Sequence, residues 1–181
     1  MNPRPLPPYT HIPGVTPHPI RDPAGHSYEA PDASPSHSLP AAHAPLIWAE
    51  LPDHPEFRWA VQLFNAGYYW ESHEAWESLW HAAGRTGPLA DFLKGLIKLA
   101  AAGVKLREHN LVGVERHARR ARELFTEVHQ QHEWVHDLSA ELSLSELILM
   151  ADQLLLHPPR LPIDRTGIPC PALARLPWPT K

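Results

Sequence analysis

His73, Glu77 and His81 follow one another at intervals of four residues. At roughly 100° per residue, such a series falls within one quarter of a helix circumference, so the three side chains can converge on one point. An imidazole and a carboxylate placed in this way are ligands that zinc, manganese or iron accept, and Glu74 adds a second carboxylate on the adjoining edge. One helix supplies two or three ligands, and an enclosed site needs more from its neighbours. The same residues have a plainer use. A histidine and a carboxylate four apart on a half-buried helix hydrogen-bond each other and fix the packing of that helix.

Lys94 and Lys98, again four apart, share one face of the following helical stretch. If that face meets His73 and Glu77, an ammonium competes with a cation for the carboxylates. Three readings therefore stand side by side. The group is a site for a divalent transition metal, a polar structural network, or an acid–base or small-ligand pocket walled by Tyr69, Trp76 and Trp80. A di-iron bundle is rejected, because it needs two Glu-x-x-His pairs and only Glu133 and His136 make one. His129, His132 and His136 read as a solvated connection. No nucleophile elbow, phosphate-binding glycine loop or His-Glu-x-x-His protease motif is present.

The elements that must position these groups are set by proline. Of 22 prolines, fourteen lie in residues 1–55 and seven in 158–181, which leaves Pro88 alone between them. Proline inside a helix loses a hydrogen bond and clashes, so the middle is where helices can run. The division is a Pro/His-rich flexible arm over 1–54, a helical domain over 55–157 and a Pro-rich tail over 158–181. Near the end of the arm Leu46, Ile47, Trp48 and Leu51 form a small apolar patch able to pack on the domain. In the tail Leu161, Ile163, Leu173, Leu176 and Trp178 can lie along a surface in extended form.

Apolar periodicity predicts five helices: Pro55 to Ala66, Tyr69 to Ala83, Pro88 to Arg107, Leu111 to Gln130 and Ser143 to Leu156. Short links make the first four into two antiparallel hairpins, and no stretch reads as a strand. The expected class is all-α, a compact bundle of about five helices. The interval between hairpins is too long for a tetratricopeptide repeat. The three tryptophans at 70, 76 and 80 read as packing groups.

The residues Phe64, Asn65, Gly67, Tyr69, Glu71, His73, Glu74, Glu77 and Trp80, followed by Phe92, Gly95, Leu96, Ile97 and Ala100, form two ordered blocks. They resemble the bacterial and archaeal family called domain of unknown function 309, over roughly Trp59 to Phe125. The resemblance implies an all-helical bundle whose His-x-x-x-Glu-x-x-Trp/Tyr motif falls on His73, Glu77 and Trp80, a motif for which metal binding has been suggested. It supplies no activity, and whether the protein is an enzyme stays open. The family pattern commonly has glutamine where this chain has Lys94 and Lys98.

The formal net charge of -4 gives no global attraction to nucleic acid or acidic membranes. Arg116, Arg119, Arg120 and Arg122 with His117 make a local basic stretch able to contact phosphate, read as a solvated face beside Glu115 and Glu123. The longest apolar passage, Leu89 to Val104, is broken by Asp91, Lys94 and Lys98 and is no membrane span. The N-terminus lacks the apolar stretch of a targeting peptide, and a single cysteine, Cys170, excludes an internal disulfide. A cytoplasmic setting is expected. The alternative function is a helical interaction module, a homodimer or the receiver of a helical partner, with an exposed aromatic face.

Overall fold

A computed structural model describes residues 4–30, 46–131 and 143–177. Among them are a short 3₁₀ turn, Trp48–Asp53, and five α-helices: α1 (Pro55–Asn65), α2 (Tyr69–Ala82), α3 (Pro88–Arg107), α4 (Leu111–Gln131) and α5 (Leu144–Leu156). The expected helices match these to within a residue at each end, and no strand occurs among the described residues. Each helix packs chiefly on its chain neighbours, α1 on α2, α2 on α3, α3 on α4 and α4 on α5. No helix is long and apolar enough to cross a membrane among the described residues.

Local chemistry explains where the helices start and stop. Proline occupies the first turn of α1 and of α3, where its missing donor has no helical partner to lose. Gly67, at φ +85°, turns the chain between α1 and α2 in the left-handed region that glycine enters without strain. At α5 the Ser143 hydroxyl accepts from the Glu146 amide at 3.1 Å and the Glu146 carboxylate accepts from the Ser143 amide at 3.3 Å, a reciprocal cap.

Aromatic rings fill the centre. Phe57, Phe64, Tyr69, Trp76, Phe92 and Phe125 are each almost wholly buried. The glycine in the middle of α3 has a packing reason: a Cβ at Gly95 would lie 2.4–2.8 Å from the Phe125 ring, so α3 and α4 approach closely only without one. The core also reaches back before α1, since Leu51 is fully buried and Trp48 lies 5.2 Å, ring to ring, from Phe92.

The N-terminal residues depart from the sequence expectation of a flexible arm. Residues 4–30 lie against α1 and α2, with Thr10, His11 and Ile12 no more than 7% exposed. Low apolar content argues against ordering only when burial must be hydrophobic. Here the segment is held by hydrogen bonds to a carboxylate, a mode that composition does not register. Residues 1–3 and 31–45 of the expected arm fall outside the described residues. So do Trp178 and the His132, Glu133 and His136 connection.

Candidate metal centre and the faces of helix α2

The two ends of the motif helix have different jobs. Asn65, at the end of α1, donates through Nδ2 to the Leu176 carbonyl at 2.9 Å and accepts at Oδ1 from the Leu176 amide at 2.7 Å. The Tyr69 hydroxyl accepts from the amides of Ala172 at 2.7 Å and Leu173 at 2.9 Å. Burial pushes the Tyr69 phenol up, so it stays protonated. Glu71 accepts from the Thr10 hydroxyl and the His11 amide, both at 2.8 Å, and lies 3.2 Å from His26 Nε2. Asn65, Tyr69 and Glu71, grouped by sequence with the candidate site, thus hold the chain's terminal segments and stand apart from His73.

One turn further along α2 the candidate ligands do meet. His73 Nδ1 lies 3.4 Å from Glu74 Oε1 and 4.0 Å from Glu77 Oε2. Ligand atoms from all three residues lie within 4.8 Å of one another, the one such group of three or more among the described residues. All three side chains are partly exposed. His81 is not drawn in. It is exposed and packs edge-on against Trp80, with ring centroids 5.1 Å apart. Tyr69 and Trp76 are almost wholly buried in the core, whereas Trp80 is half-buried with Lys94 Nζ 5.9 Å from its ring centroid. Glu74 also borders a cleft of about 560 Å³ beneath the N-terminal segment, beside Trp59, Trp70 and Glu71.

The lysines settle less against a metal than their sequence positions suggest. Lys98 is near enough to Glu77 to feel its charge, yet neither Glu74 nor Glu77 makes an ion pair with a lysine or arginine among the described residues. Burial, with Lys94 adding to it, pulls the Lys98 ammonium below its ordinary value, while the nearby Glu77 pulls it back up.

A neighbouring histidine, grouped by sequence with the solvated basic stretch, is drawn inward instead. His117 on α4 is half-buried, and burial lowers its imidazole to about 4. Lys98 and Lys105 on α3, Arg116 on its own helix and His73 on α2 push in the same direction. The consequence has a definite sign. The unfolded chain, titrating near 6.5, takes up this proton before the folded one does, so the contribution is complete above pH 6.5 and is lost as pH falls towards 4. The loss should be about 1–2 kcal/mol once solvent screening of a half-buried ring is allowed for. Urea unfolding at pH 7.5 and 4.5 measures it, and His117→Gln should remove that part of the pH dependence. An unchanged slope in the variant would show that the ring is protonated in the folded state.

These residues belong to a recognisable segment. Residues 57–117 match the family model of a domain of unknown function, DUF309. Over this third of its length the chain is similar to DUF309. The match takes in α1, α2 and α3 and ends in α4. No curated protein matches the chain. Within the DUF309 segment lie His73, Glu74, Glu77, Lys94, Lys98 and His117, and also Asn65, Tyr69, Glu71 and Arg107. The basic stretch of α4 is largely neutralised from both sides. Arg119 pairs with Glu115, Arg120 with Glu123 and Glu127, and Arg122 with Asp152. That pairing fits a solvated helix face and leaves little free charge for phosphate.

Proposed function

We propose that the DUF309-like domain of this protein is a helical metal-binding module with His73, Glu74 and Glu77 as its protein ligands. The observation that carries this reading is the convergence of three ligand atoms within 4.8 Å, together with the lack of a lysine or arginine partner on either carboxylate among the described residues. Two ligands about 2.1 Å from one ion lie at most about 4.2 Å apart, and the separations of 3.4 and 4.0 Å already fall inside that limit. Two carboxylates bring a charge of -2, which a divalent cation offsets, and the mixed nitrogen and oxygen donors suit zinc, manganese or iron. A bound ion would keep positions open to water, where it acts as a Lewis acid. The chain's own residues hold and orient: the His73 ring, half-buried, is set by its helix, and Glu74 and Glu77 close on it from two directions. The single cysteine suits a reducing compartment, and the cytosol is the setting we assign.

Titration calorimetry of chelator-stripped protein with zinc and with manganese tests the reading. One-site binding is expected, and His73→Ala or Glu77→Ala should weaken it by more than about 100-fold, beyond the roughly 10–100-fold loss typical of outer-shell changes. Absence of binding heat, with a melting temperature indifferent to chelator, would end it.

A second reading, an interaction module acting as a homodimer or through a protein partner, is favoured by a different observation. Asn65, Tyr69 and Glu71 direct their polar atoms to peptide segments outside the DUF309 match.

A further inference from the structure

The C-terminal segment is held in the way a bound peptide is held. Four of its main-chain groups are engaged by Asn65 and Tyr69, and Arg107 Nη2 donates to the Ile168 carbonyl at 2.7 Å. None of these five bonds reads a side chain of the segment. Its backbone also presses on the α1–α2 turn: a Cβ at Gly67 would fall 2.5–2.7 Å from main-chain atoms of Cys170. Within residues 168–177 side-chain readout is left to Leu173 and Leu176, buried to 9% and 2% exposure, and just upstream Arg107 also pairs with the Asp164 carboxylate. A polyproline helix has three residues per turn, so leucines three apart share a face, and Pro169, Pro171 and Pro177 favour that backbone. Main-chain bonds for affinity with spaced apolar pockets for selection is the general logic of extended-peptide recognition.

Two features separate the groove from its occupant. Asn65, Gly67, Tyr69 and Arg107 all lie inside the DUF309 match, whereas residues 168–177 lie well beyond its end. Arg107 Nη1 is buried and has no partner among the described residues, a donor the resident segment leaves unused. We propose that this groove is a binding site for an extended Leu-x-x-Leu segment of a partner protein, and that residues 168–177 occupy it as a built-in competitor. The inference stands whether or not His73 holds a metal.

The test uses the full chain with Leu173→Asp and Leu176→Asp, which frees the groove, and a fluorescein-labelled peptide with the sequence of residues 166–177. Anisotropy should report saturable binding to the variant. Binding to the wild type should be weaker by about 100-fold, because a tethered segment competes at an effective concentration on the order of millimolar. Adding Tyr69→Phe, which deletes the acceptor of two amides, should weaken peptide binding by about tenfold with an unchanged circular dichroism spectrum. A peptide with both leucines replaced by aspartate should not bind. Leu176→Ser alone frees the same end with less disturbance, and the same ordering is required of it should the double variant not fold. No binding by a folded released variant, or equal binding to wild type and variant, overturns the proposal.

Discussion

Glu71→Ala should detach the N-terminal segment and lower stability by about 2–4 kcal/mol. The Glu71 side chain is almost wholly buried, and one carboxylate serves the Thr10 hydroxyl, the His11 amide and His26 Nε2. Hydrogen bonds to an ionised acceptor are roughly twice as strong as neutral ones, and each buried donor left without a partner costs about 1–3 kcal/mol. The total is limited because the segment can lift into water instead of staying down unpaired. Glu71 also stands in the first turn of α2, where a negative charge meets the positive end of the helix. Losing the anchor should expose Thr10, His11 and Ile12, so the readouts are a lower melting temperature and new protease cleavage within residues 4–30. Glu71→Gln should fall between the two, since its amide keeps one acceptor but turns a donor towards other donors. A fully protected segment in Glu71→Ala would mean that Trp70, against which the His11 and His18 rings pack at 5.2 and 5.4 Å, carries the docking instead.

The same residue shows where a sequence is readable and where it is not. Helix bounds follow from proline, glycine and periodicity, all local signals, and α3 was legible to the residue from Pro88 and Arg107. The convergence of His73 and Glu77 is also local, because helical spacing fixes it. Glu71 is different. It lies two residues from Tyr69, roughly 200° around the helix from the buried side, so spacing alone places it in water. Its burial depends on a segment 45 to 61 residues away in sequence. Asn65 and Tyr69 meet partners at separations of 103 to 111 residues. Lys98 fails to be legible for a related reason. Sequence leaves open whether its face meets Glu77, and whether the ammonium makes an ion pair depends on rotamers and burial that periodicity does not encode. His117 reads with its neighbouring arginines as part of a solvated face, and only the packing of α3 and α4 half-buries it.

Trp76→Ala should be the most damaging single substitution on α2, at about 3–5 kcal/mol. The side chain is fully buried, its ring 5.6 Å from that of Phe64, and it sits where α2 closes on α1 and α3. Truncation removes a large apolar surface and leaves a cavity that helices tied by short turns cannot collapse. Trp76→Phe separates shape from polarity. The indole Nε1 has no hydrogen-bond partner among the described residues, so phenylalanine gives up volume but also removes an unsatisfied buried donor. Its cost should be about 1–2 kcal/mol, well below that of alanine. Urea unfolding followed by circular dichroism decides, and a Trp76→Ala loss under about 1.5 kcal/mol would show that the core is not closed around α2. Trp76 is adjacent to Glu77 and one turn from His73 on the same helix, so a loosened α2 spreads the three ligand atoms as well. Metal affinity should therefore fall in Trp76→Ala and hold in Trp76→Phe, although neither change touches a ligand.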